Sequence, residues 1–281
     1  MPELCTTCSL AGCGLRVGLS KYFGKEAVFG GVLTAGDADG VRWQMHATGS
    51  FGTPTSQPEI SALGDSSLLL SWTADDDREL AALVCRGMQC LRAAGIPGVT
   101  GIVPGFASLA VHFDLVRVSV SQMQRVISEQ LGGTSSVIPV PVRRIRIPVC
   151  FDASVSPDLG EVSQFAGRSV RQCVDLLCRT VFSVRMIGFS PGFPYLTGLP
   201  ECLAIPRRST PRVKVPAGSL AVGGGQAGIY PEESPGGWHL IGRTNVKLFD
   251  VKRDVPCLLE PGDEVQLFEI ATLTPECGNH L

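Results

Sequence analysis

Residues 223–244 read GGGQAGIYPEESPGGWHLIGRT. The first six satisfy G-x-G-x-x-G, the spacing of a dinucleotide-binding loop, and that match would imply a Rossmann fold. Such a loop must open directly into a helix, because the helix N-terminus holds the pyrophosphate. Here Ile229 and Tyr230 lead into Pro231, and Ser234-Pro235-Gly236-Gly237 breaks the chain again. Proline has no backbone donor and blocks helix propagation, so the Rossmann reading fails. A disordered linker fails too. Linkers avoid large apolar residues, yet Ile229, Tyr230, Trp238, Leu240 and Ile241 all lie here. What fits is an ordered loop between strands, in which glycine permits close backbone approach to a ligand or a neighbouring strand. Gly225, Gln226, Tyr230, Trp238, His239 and Arg243 are its candidate functional residues.

Outward from this stretch the chain keeps one rhythm. FSVRMIGF (182–189), CLAIP (202–206), PRVKVP (211–216), GSLAVGG (218–224), GWHLIGR (237–243), KLFDV (247–251) and CLLEPGDEVQLFEI (257–270) are short and punctuated by Gly and Pro. Short strands at close spacing indicate a β-barrel or sandwich. One helix precedes them, either PDLGEVSQFAG (157–167) or SVRQCVDLLCRT (169–180). Asp263 and Glu264, after a Pro-Gly turn, read as solvated. Two further segments carry chemistry. MIGFSPGFPYLTGLP (186–200) places Phe189, Gly192, Phe193 and Tyr195 in a proline-stiffened loop, the kind of wall a small-molecule pocket needs. IPRRSTPRVKVPAGS (205–219) gathers Arg207, Arg208, Arg212 and Lys214. In an extended strand Arg212 and Lys214 share a face, with Val213 and Val215 toward the core. Arginine forks suit carboxylate or phosphate oxygens, although such cations also protect an edge strand. Gly188-Phe189-Ser190-Pro191-Gly192 matches G-x-S-x-G, but Pro191 denies the helix that a nucleophile elbow requires.

Upstream the pattern is α+β. SSLLLSW (66–72) is a strand, 75–95 an amphipathic helix that starts with acids and stops at Gly95, and GVTGIVP (98–104) and SLAVHFD (108–114) are two more strands. Residues 119–133 form a second helix, and RRIRIPV (143–149) supplies a closing strand at the domain boundary. The order β-α-β-β-α-β indicates a ferredoxin-like sandwich. His112, inside a strand, reads as structural. The chain therefore divides into an extension at 1–57, a sandwich at 58–144, the barrel at 145–270 and a tail at 271–281.

Composition bounds the function. With 44% hydrophobic and 18% charged residues the chain affords a large core, and 24 basic against 26 acidic side chains argue against nucleic acid or an anionic membrane as partner. No apolar run reaches the ~20 residues of a membrane span. Eleven cysteines without a framework suit a reducing compartment, hence the cytoplasm, while Arg16, Lys21 and Lys25 leave organellar import open. Cys5, Cys8 and Cys13 lack the second pair of a zinc site even if His46, Cys277 or His280 contributed, so free thiols are the reading and no metal is expected.

GFSPGFPYLTGLP, PRRSTPRVKVPAGSLAVGGGQAGIYPEESPGGWHLIGRT, LFD and LEPGDEV, in that order, resemble the family of the 5-oxoprolinase B subunit, also called KipI-like or allophanate hydrolase subunit 1. LGDSSLLLSW, PGFASLAVHFD and IPVCFDASVSPDL extend the resemblance to residues 58–270. It implies a ferredoxin-like domain followed by a cyclophilin-like β-barrel, acting with homologues of the C subunit and of the LamB/YcsF-type A subunit. Together these would couple hydrolysis of ATP, carried with Mg, to opening of 5-oxoproline to glutamate. Opening this lactam is uphill, and phosphorylation of its carbonyl oxygen creates a leaving group. On that reading Arg207, Arg208, Arg212 and Arg243 neutralise the phosphate, and Gln226 and Tyr230 orient substrate. Phe189, Gly192, Phe193, Tyr195, Gly225, Trp238 and His239 form the pocket. Relatives also suggest an inhibitor of a sensor histidine kinase, or a carboxyltransferase component, although this chain has no biotin-type Met-Lys-Met segment. Departures are specific: Leu177 stands where the family has a histidine, Val181-Phe182 replaces Glu-Tyr, Cys150-Phe151-Asp152-Ala153 follows the I-P-V strand in place of Tyr-Gly-Gly, and Gln226-Ala227-Gly228 replaces Gln-Thr-Gly.

Overall fold

The computed structural model describes residues 57–273, apart from 76 and 133–141. The expectations for the extension, for Cys5, Cys8, Cys13 and His46, and for Cys277 and His280 lie outside the described residues.

β1 (Glu59–Ala62), β2 (Ser67–Ser71), β3 (Val99–Pro104) and β4 (Ser108–Phe113) make an antiparallel sheet in the order β1-β2-β4-β3. Alternation along β2 and β4 sends Leu68, Leu70, Leu109, Val111 and Phe113 to one face. There they meet Leu83, Val84 and Met88 of α1 (Asp77–Ala94) and Met123 and Ile127 of α2 (Val120–Gly132). His112 is opposite Ser67, with Nδ1 2.6 Å from the hydroxyl, a satisfied cross-strand pair.

The strand Arg144–Cys150 (β5) does not close this sheet. It runs parallel to β13 (Glu264–Ile270) along its whole length, inside a second body. Ile147, Pro148, Val149 and Cys150 are consecutively buried, so β5 needs cover on both faces. A sheet with helices on one side does not offer that, and β1 takes the edge beside β2 instead. Arg143 grips Asp263 with Nε–Oδ1 2.8 Å and Nη2–Oδ2 2.5 Å, and Arg144 donates to Glu264. Asp263 is buried rather than solvated, because Arg143 and the Glu260 amide satisfy it.

The second body is a closed barrel in the order β10-β7-β6-β13-β5-β12-β9. Its remaining strands are β6 (Val181–Ile187), β7 (Pro194–Thr197), β9 (Ser219–Gly223), β10 (Gln226–Ile229) and β12 (His239–Arg243). Both candidate helices form: α3 (Leu159–Phe165) packs on β12, and α4 (Val170–Arg179) packs along β13. Leu177 on α4 is 1% exposed, within a core that includes Phe182, Leu196, Leu220, Val222, Ile241 and Val265. β8 (Arg212–Val215) and β11 (Ser234–Gly236) pair outside the barrel as a ribbon. Among the described residues no second layer covers the ribbon at Val213, which is 88% exposed, contrary to its expected core position, while Val215 is buried. CLAIP folds as a 3-10 turn at Glu201–Leu203, and KLFDV contributes one bridge, Phe249 to Cys257, in place of a strand.

Arg185 joins the two bodies. Its side chain on β6 is 1% exposed and donates from Nε to the Phe106 carbonyl (2.6 Å) and from Nη1 to the Asp77 carbonyl (2.5 Å). The guanidinium lies 4.6 Å from the Phe106 ring centroid. Among the described residues no carboxylate pairs with it. Burial pulls its pKa down, with Asp77 and then Cys85 opposing.

Candidate functional site

Gly224 and Gly225 turn β9 into β10, with Gly223 opposite Gln226 and Gly224 at φ +64°. The glycine-rich stretch is thus largely two barrel strands and a tight hairpin, not one loop. Its glycines serve as notches for rings. A Cβ on Gly228 would lie 2.6 Å from Phe193 Cζ, and one on Gly223 would lie 2.7 Å from Trp238 Cδ1. On Gly236 it would collide with the Tyr230 hydroxyl. Phe193 is the hub, edge-on to Tyr195 (5.0 Å), Tyr230 (5.1 Å), Phe189 (5.4 Å) and Trp238 (5.8 Å) between centroids. Each such contact contributes about 0.5–1.5 kcal/mol beyond burial, so the wall is rigid. Phe189 sits at the rim, exposed and at φ +63°. That backbone conformation costs a non-glycine residue about 1–3 kcal/mol and is kept here at a cleft mouth.

These rings line an open cleft of about 250 Å³ together with Arg207, Arg208, Pro211, Gly236 and Gly237. Arg207 lies over the Trp238 ring, 5.6 Å from its centroid. Burial pushes the Tyr230 phenol above its ordinary pKa, as does Tyr195, while Arg207 and Arg212 oppose the rise. Tyr230 is therefore a neutral hydrogen-bond donor at pH 7.

Behind the cleft lies Asp158, 6% exposed in its side chain. Arg212 holds it by both terminal nitrogens (2.8 and 2.7 Å), Arg208 adds a 3.2 Å bond, and the Leu240 amide donates at 2.6 Å. Glu161, one turn along α3, faces Arg208 at 3.7 Å and His239 Nδ1 at 3.5 Å. His239 Nε2 is 3.0 Å from the Pro206 carbonyl, which can only accept, so that nitrogen carries hydrogen. Asp158, Glu161 and His239 bring ligand atoms within 4.8 Å of one another, the spacing of a metal site. Two guanidinium groups and the Leu240 amide already fill the acceptor positions of Asp158, so the cluster is an ion-pair network. A second cleft, of about 210 Å³, opens on the other side of this network, with Arg212, Lys214 and Arg243 in its wall.

The description "carboxyltransferase domain, subdomain C and D" matches residues 58–259. The chain belongs to that family. Among carboxyltransferase-domain relatives, the 5-oxoprolinase B subunit of Bacillus subtilis (strain 168) is 33% identical over 223 residues, covering 76% of this chain and 93% of the relative. The protein of the same name from Escherichia coli O157:H7 is 41% identical over 179 residues, 62% of this chain and 80% of the relative. The crystal structure of TTHA0988 superposes with a TM-score of 0.65 at 32% identity, over 75% of this chain and 41% of TTHA0988. This chain thus spans less than half the length of TTHA0988.

Within this carboxyltransferase-domain member, Phe189, Phe193, Tyr195, Arg207, Arg208, Tyr230 and Trp238 line the first cleft. The arginine cluster does not stay together: Arg212 and Arg243 line the second cleft. Gln226 and the exposed Gly225 sit at the β9–β10 turn, in neither wall. Gly192 packs under Phe249, which a Cβ would approach to 2.7 Å, and His239 lies behind the cleft. Leu177 faces the barrel core, so the position where the family has a histidine opens onto neither cleft. Sequence reasoning missed Asp158 and Glu161. Their only signal was two acids at the start of a short helix, with nothing to pair them with arginines some fifty residues on.

Proposed function

We propose that this chain is the B subunit of an ATP-dependent 5-oxoprolinase, converting 5-oxo-L-proline, ATP and water to L-glutamate, ADP and phosphate. It would act in the cytoplasm with homologues of the C subunit and of the LamB/YcsF-type A subunit, and be inactive alone. The observation that carries this reading is the aromatic cleft with cations on one side, Arg207 and Arg208. Flat rings at right angles accept a small planar lactam, and a guanidinium at the edge receives its single carboxylate. Neutral Tyr230 can donate to the lactam oxygen, and Phe189 at the rim limits water entry. The described residues suit the phosphate end of a nucleotide better than its metal. The acceptor positions of Asp158 are taken, so Mg²⁺ would arrive on ATP. ATP would supply the phosphoryl group that turns the lactam oxygen into a leaving group; Arg212, Lys214 and Arg243 are the residues that would face its phosphates. The free state of all seven described cysteines agrees with a reducing compartment. We read the sheet as ferredoxin-like with β1 in place of a final strand, and the barrel as cyclophilin-like.

Co-purification with homologues of the A and C subunits, followed by an assay of 5-oxoproline-dependent ATP hydrolysis, tests the proposal. Activity with all three and loss of it in Arg207→Ala are expected. A soluble complex that hydrolyses no ATP with 5-oxoproline present would sink it. Selective capture and inhibition of a sensor histidine kinase, or carboxyl transfer with a biotin-bearing partner, would point to the other family activities.

A further inference from the structure

Trp238 and His239, where the chain enters β12, serve opposite sides: Trp238 lines the aromatic cleft, and His239 packs behind it against α3. The His239 side chain is 4% exposed, and its Nδ1 has no hydrogen-bond partner among the described residues. Buried polar atoms are rarely left so, and an orphan points to a second state in which it is satisfied. Because Nε2 carries hydrogen toward the Pro206 carbonyl, the neutral ring turns an Nδ1 lone pair toward Glu161 Oε2 at 3.5 Å, acceptor against acceptor. A proton on Nδ1 makes the same contact a donor–acceptor pair. That carboxylate oxygen also faces Arg208 Nη1 at 3.7 Å. Glu161 is thus shared between a permanent cation and a side chain that, unperturbed, titrates between about pH 5 and 8.

The charged groups near the imidazole come from three directions. Asp158 and Glu161 belong to α3 and the residue before it, Arg208 to the segment leading into β8, and Arg212 to β8, reaching the cluster through Asp158. β9 places uncharged Val222 opposite His239. The Arg212 fork holds Asp158, so Glu161 is the acid left to divide between Arg208 and His239. Arg208 also lines the aromatic cleft, and its Nε has no partner among the described residues. We propose that an anion held by Arg208 in the aromatic cleft is bound together with a proton at His239 Nδ1, which makes His239 and Glu161 positioning residues for that arginine. The anion neutralises Arg208 and draws it from Glu161; the carboxylate then faces Nδ1, and a proton from solvent forms the N–H bond that joins them. By linkage the anion binds more tightly as pH falls through the His239 titration. That the anion is the 5-oxoproline carboxylate rests on the function proposed above; the coupling itself does not.

The test is NMR of the histidine rings in the full chain, followed through pH, and it needs no enzymatic activity. The chain has four histidines, and His239→Gln identifies the resonance. Arg208→Gln stands in for an arginine drawn away and should raise the His239 midpoint by about half a pH unit. In a Glu161→Gln background the same substitution should move it by less than about half that. Glu161 is 57% exposed, so its amide variant keeps the fold, and circular dichroism checks Arg208→Gln. Saturating 5-oxo-L-proline should raise the wild-type midpoint by a similar amount, equivalent to about threefold tighter binding on the acid side. A midpoint indifferent to Arg208→Gln overturns the proposal. So does a shift of equal size with and without Glu161, which is plain charge repulsion. If 5-oxo-L-proline moves the Trp238 indole signal but not His239, the proposal is likewise overturned. If it moves neither while Arg208→Gln still acts through Glu161, the coupling stands and the failure belongs to the 5-oxoprolinase reading.

Discussion

Gly228 decides where Phe193 can be. With Phe193 Cζ 2.6 Å and the Pro194 carbonyl 3.0 Å from any Cβ there, Gly228→Ala must push a ring that four others hold. Overpacking of this kind costs about 1–3 kcal/mol, which a denaturant titration followed by tryptophan fluorescence will measure. Tyr230 gives a pH-dependent expectation at the same scale. Its folded pKa is raised above the ordinary phenol value near 10, so the folded state keeps a proton that the unfolded chain has lost. Stability from this group is complete below about pH 10 and falls above it by up to about 1.4 kcal/mol per pH unit. Tyr230→Phe should flatten that part of the alkaline profile, and an unchanged slope would refute the assignment. The aromatic and basic residues were legible in the sequence because rare ring types clustered around glycine and proline. Asp158 was not, since one acid says nothing about which distant arginines will close on it.

Among the elements, α4 is fixed by a reciprocal cap. Ser169 Oγ accepts from the Gln172 amide at 3.2 Å, and the Ser169 amide donates to Gln172 Oε1 at 2.9 Å. Ser169→Ala should lower stability by about 1 kcal/mol, read as a shift in the midpoint with an unchanged denaturant slope. Helices were well read from their caps and spacing: the expected 75–95 and 119–133 contain α1 and α2. Strand existence was legible more often than strand partnership. RRIRIPV was recognised as a strand but given to the wrong sheet, because alternation at Arg144 and Arg146 masked the buried run at its end. β7 and β10 passed for loop, since Pro194 and Gly228 are poor strand formers whose places are set by ring packing. For Val213 the error was one of context, because alternation predicts a face and only the tertiary fold says whether anything covers it.

At the scale of the whole molecule, Arg185 is the joint. It replaces water for two carbonyls of the sheet body with donors from the barrel, yet no carboxylate pairs with it within ion-pair distance among the described residues. Arg185→Met leaves both carbonyls unpaired, at about 2–4 kcal/mol in total. We expect calorimetry to show one transition in the wild type and two in the variant, as the sheet and barrel lose their shared bond. The change in rhythm near residue 145 marks where the barrel strands begin; the joint was not legible, because a lone arginine in VFSVRMIG carries no mark of its distant carbonyl partners. The parallel pairing of β5 with β13 has a consequence for biosynthesis. These strands open and close the barrel, and the Arg144–Glu264 pair spans 120 positions of sequence. A nascent chain must therefore hold β5 without its parallel partner until nearly all of the barrel has left the ribosome, a slow kind of closure. A message truncated anywhere before codon 264 would yield an open sheet with two sticky edges rather than a shortened barrel.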